Sequence, residues 1–320
     1  MAFRHGARRL ELIPFEASTS KQIDLPRDRN IKRINLQFNG AVTLAGGNAG
    51  ETTVGDSVLR LAPRIEIVAD GVTTIFRCDA RGLHFKNYLE SQCIPQITSC
   101  VNGAAQAGTA ISFNVDINLQ NILGVRPDDT YLPAFKFRTL TLSVQWGALA
   151  DMFAAANNHT KTIAAGAGIR PVVYESDYPL NKDIKMLRIQ DYIDKQIATT
   201  QSEFVVDLPV GAKVYQALML RTLDADVRES DIVNSFSIVT GEKFNHFSNI
   251  PFIQLQNENK LAHHLETTPA GIAYLYLLED GLVPSGLAVN DVNTAKLVAD
   301  VTVGGGTTML RTYYDMITAL

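Results

Sequence analysis

The clearest pattern along the chain is a strict alternation of apolar and polar residues. From Ile111 to Leu119 the apolar positions are Ile111, Phe113, Val115, Ile117 and Leu119, with Ser112, Asn114, Asp116 and Asn118 between them. Successive side chains of a strand point to opposite faces, so this period of two makes one oily and one wet face, as in a half-buried sandwich strand. The same alternation runs through Leu140, Leu142, Val144 and Trp146, through Leu297, Ala299, Val301 and Val303, and more briefly through Ile34, Leu36 and Phe38. On a helix this spacing would scatter the apolar groups around the circumference. Arg64 to Val72 predicts a hairpin, because Asp70-Gly71 supplies the positive φ angles of a tight turn. Helices are expected in two places: Lys185 to Thr200, with Met186, Ile189, Ile193 and Ile197 on one side, and the shorter stretch Gly82 to Gln92.

The two halves echo each other. Ser20 to Pro26 (SKQIDLP) matches Glu203 to Pro209 (EFVVDLP), each followed shortly by a hydrophobic strand. The hairpin at Asp70-Gly71 has a counterpart in Phe236 to Gly241, the strand Ile111 to Leu119 in Ile272 to Leu278, and the strand ending at Trp146 in the one ending at Val303. Four landmarks in one order predict an internal duplication. Between Ala154 and Gly168 the chain is dominated by Ala, Gly, Asn and Thr, which reads as a linker or a long surface loop. The expected organisation is therefore a first domain over 1–155, a linker over 156–168 and a second domain over 169–320. Each half, about 150 residues, exceeds the ~100 of a minimal immunoglobulin-type sandwich and suits an eight-stranded jelly roll. The fold class is all-β, with few short helices.

Composition narrows the function. At 46% hydrophobic and 19% charged the chain is a packed globular protein, and a net charge of −4 gives no global attraction to nucleic acid, so no specific nucleic-acid recognition is expected. One short basic arm stands out, where Arg4, His5, Arg8 and Arg9 precede the first acidic residue, Glu11. Cys78, Cys93 and Cys100 are too few for a disulfide framework and lack the paired spacing of a zinc ribbon. With no apolar leader and no apolar run of ~18 residues, the expectation is a soluble chain made in the cytoplasm.

Each candidate for chemistry has a simpler explanation. Gly55-Asp56-Ser57-Val58 resembles an esterase nucleophile block, but none of the six His follows an Asp by three residues, as the base of that family does. His263-His264 with Glu266 could suggest metal ligands, yet adjacent His side chains diverge on either a strand or a helix. Asp224, Asp226, Glu229 and Asp231 lack the central Gly and terminal Glu of a helix–loop–helix calcium loop and read as a solvated loop. The glycines at 46–50 and 304–306 match no phosphate-binding fingerprint. Tyr313-Tyr314 reads as a terminal strand with one ring inside and one outside, and Trp146 as core. No catalytic, metal or cofactor residue is expected.

The tandem β halves, the mid-chain small-residue stretch and the order Asp-Leu-Pro, strand, Asp-Gly hairpin resemble the double jelly-roll major capsid proteins of tailless icosahedral viruses, the lineage of tectivirus and corticovirus coats and adenovirus hexon. The resemblance implies a structural coat protein of a bacteriophage, whose homotrimers present six near-equivalent wedges and tile a virion shell. It further implies neighbouring trimers and minor capsid or vertex proteins as partners. The arm with Arg4, Arg8 and Arg9 would then face an internal lipid membrane or the genome side. The alternatives are a phage spike or fibre and a carbohydrate-binding β-sandwich.

Overall fold

The computed structural model describes residues 5–46, 52–92, 94–99, 108–154, 159–177, 186–241, 244–278 and 280–319. These group into two compact units, Met1–Tyr88 with Cys93–Gln120 and Tyr131–Ile184, and Leu89–Gln92 with Asn121–Thr130 and Lys185–Leu320.

The first unit contains β1 His5–Arg9, β2 Ser20–Asp24, β3 Asn30–Ala45, β4 Arg64–Ala69 and β5 Thr73–Cys78, then α1 Ala80–Ser91, whose last turn groups with the second unit, then β6 Thr109–Asn118, β7 Leu140–Gln145 and β8 Gly168–Ser176. All pairs are antiparallel. One sheet runs β1-β8-β3-β6 and the other β2-β7-β4-β5. Lettered B to I in chain order, these sheets are B-I-D-G and C-H-E-F, the order of a jelly roll.

The second unit contains β9 Met186–Ile197, β10 Gln201–Leu208, β11 Lys213–Asp224, β12 Val233–Thr240, β13 Phe244–Pro251, α2 Phe252–Ala262, β14 Ile272–Tyr276, β15 Ala295–Val301 and β16 Thr308–Ala319. Its sheets run β9-β16-β11-β14 and β10-β15-β12-β13. Adding eight to every strand number of the first unit reproduces the second. All four landmarks read from the sequence fall on equivalent elements: Asp-Leu-Pro after strand C, the turn between E and F, strand G and strand H.

Alternation explains where each core lies. Ile34, Leu36 and Phe38 of β3, Phe113, Val115 and Ile117 of β6, and Leu140, Leu142 and Val144 of β7 are all buried. In the second unit Val206 and Leu208, Phe236 and Ile238, and Leu297, Ala299 and Val301 do the same. Asp70 and Gly71 take the expected positive φ angles of 52° and 71°, and the Asp70 carboxylate accepts the Arg138 and Thr139 amides at 2.7 and 3.0 Å.

Two expectations are corrected. The helix expected over Lys185 to Thr200 is not found in its described part, from Met186 on. Met186 to Ile197 is β9, in register with β16 from Met186↔Ala319 to Ile197↔Thr308. The boundary over 156–168 is also misplaced, since Thr160–Ile163 pairs with Val42–Ala45 and β8 pairs along β3, so both belong to the first unit. Gly168 serves a close approach, not a spacer. A Cβ on Gly168 would stand 2.3 Å from the Ile13 carbonyl oxygen.

Candidate functional site

The basic arm opens the first unit. Arg4 lies outside the described residues. Arg8 and Arg9 sit on β1, the edge strand beside β8. The Arg8 guanidinium donates to Asp28 at 2.8 Å and stands 3.3 Å from Glu175, whose side chain is 3% exposed. Burial pushes the Glu175 carboxyl above its usual range, while the hydrogen bond from Arg8 holds Asp28 below it. Arg8 is thus a clasp that fixes β1 to its own unit, and Arg9 is left exposed on the strand. The structure does not gather Arg8 and Arg9 into one free cationic site.

The Arg8–Asp28 pair is solvent-exposed and worth less than ~1 kcal/mol. The buried Glu175 decides the cost of losing Arg8. Arg8→Gln should destabilise the first unit by about 1–3 kcal/mol, because a buried carboxylate keeps no cation on that side. The sign with pH follows from the raised Glu175 pKa: the folded protein takes that proton more readily than the unfolded chain, so this carboxyl favours folding at acid pH and disfavours it as pH rises. Urea melts should show a larger loss at pH 8 than at pH 5, and equal losses would refute the assignment.

Among the described residues, the other candidates do not converge on a reaction centre; Cys93, Cys100 and Gly47 to Gly50 lie outside the described residues. Ser57 is buried in a short helical turn, Ser57–Leu61, where its hydroxyl shares a hydrogen bond with that of Ser99. His263 is buried against the Tyr274 ring at 5.7 Å, and burial lowers its pKa, while His264 faces solvent. The Asp224 carboxylate accepts the Gly306 amide at 3.0 Å and the Thr308 hydroxyl at 2.9 Å, so it pins the last turn between strands. Among the described residues, no group of His, Cys, Asp and Glu could hold a metal ion. An open cleft of about 570 Å³ lies in the first unit beside Arg8, Pro26, Arg27, Phe137 and Arg138, and Arg27 is turned back onto the Phe137 and Arg138 carbonyls. Tyr313 and Tyr314 are both buried, against the expectation of one ring outside, because β16 is covered on both faces.

Two polar devices position the helices, and sequence reading missed both. On α1, Asn87 donates its side-chain N–H to the Asp116 carbonyl at 2.8 Å and accepts the Asp116 N–H at 2.7 Å. On α2, Asn259 brackets Tyr274 in the same way, donating at 2.5 Å and accepting at 2.7 Å. Asp116 and Tyr274 both lie on strand G, so each amide imitates a neighbouring strand. The signal was in the sequence: Leu83-x-x-x-Asn87-x-Leu89 repeats as Leu255-x-x-x-Asn259-x-Leu261. Asn259→Leu should cost about 1–3 kcal/mol for each orphaned backbone group of Tyr274. The Tyr274 amide should also lose its hydrogen-exchange protection, and unchanged protection would refute the clamp. The second device is a buried ion triad in the second unit, where Arg188 on β9 meets Glu90 at 3.0 Å and also Asp315, with side chains no more than 4% exposed.

No family model and no curated protein matches the sequence. Solved structures do match in fold. The chain is similar to the major capsid protein of Sulfolobus turreted icosahedral virus, with a TM-score of 0.76 at 12% identity over 98% of this chain and 97% of that one. It is also similar to the major capsid protein of bacteriophage PM2, at TM-score 0.66 and 10% identity over 99% and 98% of the two chains. A third likeness is to the Faustovirus major capsid protein, at TM-score 0.66 and 9% identity over 100% and 90%. Likenesses at these identities establish the fold, two jelly rolls in one chain.

Proposed function

We propose that the protein is the coat subunit of an icosahedral virus shell, a structural protein and not an enzyme, with the virion as its place of action. The observation that carries the reading is one jelly-roll order used twice in a chain that matches major capsid proteins over nearly its whole length. Three copies of two like wedges make six near-equivalent positions around a threefold axis, so a homotrimer fits a hexagonal lattice. Neighbouring trimers, and minor or vertex proteins where the lattice curves, would complete the shell. The residues singled out for chemistry support the reading too, since Arg8, Ser57, Asp224 and His263 are engaged within the fold. Contact between the arm and anionic lipid headgroups would fall to Arg4 and Arg9, because Arg8 is engaged. A carbohydrate-binding sandwich would need an exposed aromatic platform, and the single Trp is core.

Native mass spectrometry tests the reading. Three chains of 35.0 kDa should appear at about 105 kDa. A stable 35.0 kDa species at every concentration would overturn it.

A further inference from the structure

Helices α1 and α2 occupy one place in the repeated plan. Each connects strand F to strand G, each is fastened to strand G by its Asn, and their Leu-x-x-x-Asn-x-Leu segments align without a gap. The inner Leu of each segment is buried in both, Leu83 and Leu255. The outer one differs. Leu89 is 1% exposed and Leu261 77% exposed. Every residue from 82 to 90 of α1 is buried, Lys86 and Glu90 included, whereas α2 leaves Ile253 and Leu261 bare. A helix of this kind, placed the same way twice, is covered in one unit and uncovered in the other.

The strand before α2 carries the same mark. β13 ends its sheet, pairing with β12. Edge strands are ordinarily protected from pairing with other chains by charged side chains. Yet no Asp, Glu, Lys or Arg occurs from Phe244 to Asn257. Absence of charge together with exposed aliphatic groups is the composition of an interface centre.

The repeat also says what covers this face. The last turn of α1, Leu89–Gln92, groups with the second unit, where Glu90 is met by Arg188 of β9, that unit's strand B. The strand equivalent to β9 is β1. Because Leu261 is exposed in the single chain, we propose that the α2 face around Ile253 and Leu261 is covered by β1 of a second copy. This rests on the coat-subunit reading and names its contact. Each copy offers one α2 face and one β1, so the contact runs head to tail, and in the homotrimer of the coat-subunit reading it recurs three times around the axis.

The test uses the full chain. Leu261→Asp replaces a side chain that is exposed in the single subunit, so its thermal melt should stay that of a folded protein. Its native mass should fall from about 105 kDa to 35.0 kDa. In a second experiment, Ala7→Cys and Leu261→Cys are combined and treated with a short bismaleimide, which should yield covalent trimers that neither single variant gives. If Leu261→Asp assembles like the parent, or the double variant yields no cross-linked trimer while the parent is trimeric, the α2–β1 contact is wrong and the coat-subunit reading stands. If the parent is itself monomeric, both fall.

Discussion

Replacing Arg188 with Ala should cost the second unit about 3–5 kcal/mol. Arg188 lies in the interior between Glu90 and Asp315, and those two carboxylates hold its guanidinium charged more firmly than usual. Taking the cation away leaves two buried carboxylates side by side, each out of water and repelling the other. A matched substitution tests the cause: Arg188→Met with Glu90→Leu and Asp315→Leu removes all three charges and should recover most of the loss, since an apolar triad of similar volume needs no compensation. Denaturant melts followed by circular dichroism read both variants. An Arg188→Ala melt within ~1 kcal/mol of the parent would show that the triad contributes little.

Trp146→Ala should be as damaging to the first unit, for a different reason. The indole is 1% exposed and packs edge-on against Phe15, with ring centroids 5.2 Å apart, and against Phe38 at 5.9 Å. Truncation removes the transfer energy of the ring and leaves a cavity that neighbouring rings fill only in part, at about 3–5 kcal/mol. The indole N–H has no hydrogen-bond partner among the described residues, so Trp146→Phe gives up packing volume alone. That variant should lose less than ~1.5 kcal/mol. Trp146 is the single Trp of the chain, so the parent's emission reports this core directly, blue-shifted when folded and red-shifted on melting. Equal losses for the Ala and Phe variants would contradict a packing role.

Sequence reading succeeded where one face of a strand is oily and the other wet. β6 and β7 have that form, and their alternation placed them within a residue or two. It failed where the interior is polar. On β9 the buried residues include Arg188 and Gln190, so the period of two is broken, and four of its apolar residues, Met186, Ile189, Ile193 and Ile197, mimic helical spacing. The partner that makes Arg188 tolerable inside is Glu90, 98 residues away, which no local pattern can show. The helix α2 was missed for the same reason, as its buried face is Phe252, Leu255, Gln256 and Asn259, two of them amides that bond to strand G. Gly168 misled in another way. A small residue needed for close backbone approach reads locally like a linker.

The arm illustrates a further limit. Arg8 and Arg9 look alike in sequence, but Asp28 and Glu175 claim Arg8 alone. Whether a cation faces a partner or its own unit depends on acids brought near by the fold. The duplication was legible because it rests on order, and order survives substitution better than identity does. Four landmarks align in the sequence, and the Asn clamps add a fifth at the level of single atoms.

The most direct test of a plan used twice for tiling is electron microscopy of the isolated oligomer, averaged in projection down its axis. The account predicts a six-lobed outline with threefold symmetry, the lobes alternating between two closely similar shapes. A particle the size of one chain, or a ring whose lobes are not multiples of two, would contradict it.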